Sequence, residues 1–127
     1  MKPKTHRLGD LQLKIMQVLW SRTEATVADV HEALSHQIDL AYTTVATMLR
    51  KMELRGLVHH RNEGRSFVYR PAVAASEVTR NMADDLVDRL FHGSLTAAVN
   101  HLLTTREVSR DELARLEQLI AEKRRTS

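Results

Sequence analysis

Apolar positions along the chain change rhythm twice. Leu8, Leu11, Ile15 and Leu19 recur at three- and four-residue steps, and Met16, Val18 and Trp20 widen the stripe. That period predicts an amphipathic helix from near Gly9-Asp10 to near Ser21, buried on more than one side. Trp20, the only Trp, is expected in the core at its end. A second helix starts at Thr26, where Thr26 and Asp29 form a capping box and Val27, Val30 and Leu34 supply the apolar face. A third runs from about Tyr42 to Arg55, with Val45, Leu49 and Met52 inward and Gly56 as a left-handed stop. Ala41 is a poor cap for it, so Asp39 is the expected cap. The short connection His36-Gln37-Ile38-Asp39 favours two helices meeting at an angle, as in a helix-turn-helix.

After Gly56 the period shortens to two. Leu57–Arg61 and Ser66–Arg70 read as a hairpin, with Asn62 and Gly64 supplying turn chemistry. Phe67 and Tyr69 are expected on one face and Val68 on the other. Two strands alone are marginal in water, so the pair must lean on the helices. Tyr69 has two readings, a donor to phosphate or a packed ring at the hairpin base.

The helical rhythm returns after Pro71. One helix is expected from about Ser76 to Phe91, with Val78, Met82, Leu86 and Leu90 on one face. His92-Gly93 breaks it. Ser94 opens the next, which carries Leu95, Ala98, Val99, Leu102 and Leu103. Ser109 and Glu112 cap the last, which carries Leu113, Leu116, Leu119 and Ile120 and ends in Lys123-Arg124-Arg125. The expected fold is mainly α, a winged helix-turn-helix over residues 1–73 followed by a three-helix domain over 74–127. Three short helices rarely build an adequate core alone. Exposed apolar stripes are a liability on a monomer. The expected remedy is a homodimer through Val78, Met82, Leu86, Leu90, Leu95, Val99, Leu102, Leu103, Leu113, Leu116 and Ile120. Docking onto the first domain is the alternative.

Charge separates the two parts. Residues 1–73 carry 11 Lys/Arg and 7 Asp/Glu, and residues 74–127 carry 8 and 9, which together give the +3 of the chain. Between Arg50 and Arg70 six cations face two Glu. A basic helix end followed by a basic ribbon is the electrostatic footprint of duplex binding. Thr43, Thr47 and Arg50 share the helix face opposite the core, with Ala46 and Lys51 at its edges. Tyr42, Thr43, Thr44, Ala46 and Thr47 are the expected groove contacts, with Thr44 within reach of phosphate. Arg50, Lys51, Arg61 and Arg65 are the expected backbone contacts. The plain alternative is a solvated helix face.

Other chemistry is thin. There is no Cys, so thiolate metal sites, disulfides and Cys nucleophiles are excluded. No phosphate loop, paired-carboxylate cleft or catalytic triad is present, and neither an enzyme nor a cofactor is expected. Asp84 and Asp88 lie one turn apart and could share a cation, but a solvated face is the simpler reading. His59 and His60 are adjacent in a strand and cannot chelate together, and His31, His92 and His101 are scattered, so no metal site is expected. The beginning, MKPKTHRLGD, has no apolar run suited to a signal peptide, and no stretch approaches a membrane span. A soluble cytoplasmic protein without membrane insertion is expected.

The runs LGDLQLKIMQVLW, TVADVHEAL, AYTTVATMLRKMELRGLV and RNEGRSFVYRP resemble the BlaI/MecI family of bacterial transcriptional repressors. The likeness extends through GSLTAAVNHLL and SRDELARLEQLI to nearly the whole chain. It implies a dimer with two winged-helix heads and an interlocked helical dimerisation domain. It implies repression at a palindromic operator, often with TACA/TGTA half-sites, of genes such as β-lactamase. It also implies release by proteolysis in the dimerisation domain, triggered by a membrane-bound sensor metallopeptidase. The bond that matches the family's cleavage site is His101-Leu102. Here His101 replaces the Asn of the best-known members, and Asn100 stands one place early. The Cys-rich hook of the copper-responsive relatives is absent. Two rival readings are a small-molecule-responsive winged-helix regulator without proteolytic release, and a protein-docking module without a DNA role.

Overall fold

The computed structural model describes residues 8–127. The elements are α1 (Asp10–Arg22), β1 (Ala25–Thr26), α2 (Val27–Ser35), α3 (Tyr42–Leu54), β2 (Val58–Glu63), β3 (Ser66–Pro71), α4 (Ala75–Phe91), α5 (Leu95–Thr105) and α6 (Arg110–Thr126). The chain forms two compact units that part between Ala83 and Asp84, inside α4 and later than the expected boundary at residue 73.

In the first unit the capping box forms as expected. The Thr26 hydroxyl accepts from the Asp29 N–H, and the Asp29 carboxylate accepts from the Thr26 N–H, both at 3.1 Å. The Thr26 bonds hold the Asp29 carboxyl below its usual range. Gly56 follows α3 with φ +81, a left-handed turn that the absence of a Cβ makes cheap. Ala41, not Asp39, is the cap residue of α3, and no side chain caps that end. The expectation for Asp39 is therefore corrected: the helix starts at Tyr42, and the cap position falls on Ala41, which has no side-chain acceptor.

β2 and β3 pair antiparallel from Val58↔Pro71 to Glu63↔Ser66. The link is the two-residue turn Gly64-Arg65, and Gly64 alone has a positive φ, +63. That fits a type II′ hairpin, whose twist matches the strands. Asn62 pairs with Phe67 inside the ladder, so the turn chemistry is Gly64's alone. A third strand not anticipated from the sequence, β1, pairs with β3 through Ala25↔Tyr69 and Thr26↔Val68, giving the order β1-β3-β2. This strand anchors the hairpin to the α1–α2 connection.

Ile15, Met16 and Leu19 of α1, Val30 and Leu34 of α2, Val45, Leu49 and Met52 of α3, and Leu57 and Val58 form one buried core. Trp20 packs at its edge and donates its indole N–H to the Val73 carbonyl at 2.9 Å. That bond ties the end of α1 to the chain just after the hairpin. Val78 is fully buried in the same core and Met82 packs against it. Both were expected at a dimer surface; here the first turns of α4 place them against the core of the winged helix.

The second unit is the rest of α4 with α5 and α6. His92 (φ 53) and Gly93 (φ 82) turn the chain after α4. The Ser94 hydroxyl accepts from the Ala97 N–H, and that of Ser109 from the Glu112 N–H, so both helices start as expected. The core here is slight. Ala98 is buried, while Leu86, Leu90, Leu95, Val99, Leu102, Leu103, Leu113, Leu119 and Ile120 are all exposed. Asp85 pairs with Arg89 along α4 at 3.5 Å.

Candidate nucleic-acid interface

α3 is amphipathic in a way that frees one face. Burying Val45, Leu49 and Met52 turns Thr43, Thr47 and Arg50 outward. Tyr42, Thr44 and Lys51 are exposed too, and Ala46 is half-buried. The amides at the start of the helix have no side-chain cap; Thr44 and Val45 turn back to the Ala41 carbonyl, and Tyr42 and Thr43 find no protein acceptor among the described residues. Small side chains beside bare N–H groups suit a close approach by a phosphate or base edge.

His31 fixes where that end begins, a role the sequence did not signal. Its Nε2 lies 2.8 Å from the Leu40 carbonyl, and its ring meets that of Tyr42 edge-on at 5.9 Å. At the other end, Glu53 joins the helix to the wing. Its carboxylate accepts from the His60 backbone N–H at 3.2 Å and lies 2.8 Å from His60 Nδ1. The His60 ring stacks on Phe67 at 4.1 Å. His60 is thus occupied within the protein, while His59 is exposed.

Tyr69 is a packed ring, 3% exposed, which decides between its two readings. Burial pushes its phenol pKa up, and the Glu53 carboxylate adds to this. Val68 is buried as well, so both faces of β3 are covered where β1 and the helices meet it. Phe67 remains 44% exposed beside the turn.

The wing cations differ. Arg65 sits at the turn, exposed, with no ion pair among the described residues. Arg61 gives a two-pronged contact to Glu24 at 2.7 and 3.0 Å and a further bond to Glu63 at 3.0 Å. These bonds push the guanidinium's pKa further up and hold the Glu24 carboxyl below its usual range. Glu63 lies two residues along the same strand face. Glu24 comes from 37 residues away, carried there by the pairing of β1, and no local pattern signals it. Arg50 and Lys51 on α3 are exposed.

Among the described residues no three His, Asp or Glu side chains gather as a metal site, and no helix is long and apolar enough to cross a membrane. His101 lies within α5, its ring 5.6 Å from that of Phe91. His101 and Leu102 are both exposed on a continuous helix.

The family model described as penicillinase repressor matches residues 8–122. The chain belongs to that family, the BlaI/MecI repressors. Transcriptional regulator BlaI of Mycobacterium tuberculosis (strain CDC 1551 / Oshkosh) is 41% identical over 121 residues, covering 94% of this chain and 86% of that protein. Two solved structures share the fold of the first unit. The DNA binding domain of the repressor BlaI aligns with TM-score 0.53 at 30% identity, over 60% of this chain and 93% of that one. Bacillus licheniformis BlaI, in monomeric form in complex with the blaP half-operator, aligns with TM-score 0.51 at 31% identity, over 58% and 90%. The BlaI/MecI family is one of DNA-binding transcriptional repressors, and the mainly helical winged-helix fold expected for this chain is the fold found.

Proposed function

We propose that this chain is a homodimeric repressor that acts in the cytoplasm, binding a palindromic DNA operator through α3 and the wing. The observation that carries the reading is the outward face of α3. Tyr42, Thr43, Thr44, Ala46 and Thr47 stand at a helix start where the Tyr42 and Thr43 amides are bare, suited to the major groove. Arg50 and Lys51 follow them and Arg65 tips the wing, suited to the phosphates on either side. The relative bound to a half-operator supports this use of the same fold.

The second unit supplies the twin. Leu86, Leu90, Leu95, Val99, Leu102, Leu103, Leu113, Leu116 and Ile120 line helices with little else to bury them. A second copy would cover them, and a two-fold protein matches a palindrome. Cleavage at His101-Leu102 by a membrane-bound sensor metallopeptidase would remove part of this surface and release the operator. The bond is helical, so α5 must unwind locally before a protease can seat it. The hollow beside Leu102, Leu103 and Leu116 is continuous with the apolar face and suits a partner helix better than a small inducer.

Anisotropy titration of the full chain with its own upstream DNA, at several salt concentrations, tests the reading. The expected result is tighter binding than to a scrambled duplex, weakening linearly in log–log salt plots. Absent or salt-insensitive binding would leave the protein-docking rival. Loss of binding on adding a small molecule to an uncut chain would favour the ligand-sensing rival.

A further inference from the structure

Arg61 and Arg65 flank the same turn, yet only one is at liberty. Arg61 spends Nη1 and Nη2 on the two oxygens of Glu24, at 2.7 and 3.0 Å, and Nη2 again on Glu63 at 3.0 Å. That planar fork is the same set of donors a phosphate would take. The three side chains are 46%, 43% and 65% exposed, so the cluster is open to solvent and to any polyanion lying on the wing. Two carboxylates on one guanidinium leave the cluster with a net charge of about −1.

We propose that Glu24 and Glu63 withhold Arg61 from DNA, so that the wing lends the duplex a single cation at its tip, Arg65, while Arg61 pins the wing to the α1–α2 connection. This rests on the DNA-binding reading and adds a residue-level division within it. A phosphate reaching Arg61 must displace Glu24 and leave that carboxylate beside the duplex with only the more distant charge of Arg70 to offset it. The backbone contribution to affinity is sequence-blind and counts the counterions released. Glu24 and Glu63 therefore limit how tightly the protein holds any DNA, operator or not.

The salt slope of binding separates a cation that meets phosphate from one that braces the wing. The full chain is titrated against its own upstream DNA and a scrambled duplex of equal length, between 0.05 and about 0.5 M salt. Arg65→Gln should flatten the slope by about 0.9, and Arg61→Gln should leave the slope at the wild-type value whatever it does to affinity. Glu24→Gln with Glu63→Gln should steepen it by about 0.9 and tighten binding about eightfold at 0.1 M salt on both duplexes. Adding Arg61→Gln to that pair should return the slope to wild type. The inference is overturned if Arg61→Gln flattens the slope as Arg65→Gln does, or if the gain survives in the triple variant. Wild-type binding with an unchanged double variant sinks this inference alone. A wild-type chain that binds neither duplex overturns the DNA reading and this inference with it.

Discussion

Ile15, Met16, Leu19, Leu49 and Met52 are fully buried in the first unit, whereas Leu90, Leu95, Leu119 and Ile120 in the second are more than half exposed. Both sets lie on helices with the same spacing of apolar residues. The difference lies in what each stripe can meet within its own unit. The first has three helices, the first turns of α4 and a three-stranded sheet to close around its core. The second has only helices, and its buried residue is Ala98, too small to anchor a core. Equal amphipathicity thus closes an internal core in one unit and stays exposed in the other, where the proposed twin would cover it.

The largest effects should fall in the first unit and ignore protein concentration. Leu49→Ala should cost about 2–5 kcal/mol, read by urea unfolding at two concentrations a hundredfold apart. An equally large dependence on concentration would erase the contrast between the units. Next, Leu102→Glu should weaken self-association by about 2 kcal/mol, roughly thirtyfold, in sedimentation equilibrium. The urea midpoint of the winged helix should stay where it was. A wild-type chain already monomeric at micromolar concentration would break the comparison outright.

Smaller changes sharpen it. Thr26→Ala removes the acceptor for the Asp29 N–H and should cost about 1 kcal/mol, visible as a lower thermal midpoint. The smallest effect is that of pH. Asp29 and Glu24 both have pKa values below their ordinary ones, held there chiefly by Thr26 and by Arg61. A depressed carboxylate stabilises the fold above its unfolded pKa, about 4 for these groups, and that stability disappears as pH falls through the folded value. Thermal midpoints should therefore be flat near neutrality and decline below about pH 4, less steeply in Asp29→Asn.

Much of the fold was legible because helices announce themselves locally. The Thr26–Asp29 box, the Gly56 stop and the caps at Ser94 and Ser109 all depend on residues a few places apart. The misplaced features depend on distant partners. β1 is two residues long and exists only because β3 lies beside it. Val78 carries the same apolar signal whether it faces a core or a copy of itself, and only the folded chain assigns it to the core. At the candidate interface the cationic count was readable, but the state of each cation was not. Arg61 and Arg65 look alike in the sequence, and the difference between them comes from Glu24, which reaches Arg61 only once the sheet has formed.

Ala41 stands where a Ser or Asp would serve the helix better. A carboxylate there would satisfy the open amides from within, and the molecule would melt later. It would also place a fixed negative charge at the edge of the face proposed to meet the duplex. On the proposed reading, an engineer selecting variants by heat resistance alone would therefore drift toward a sturdier protein whose groove-facing end repels DNA.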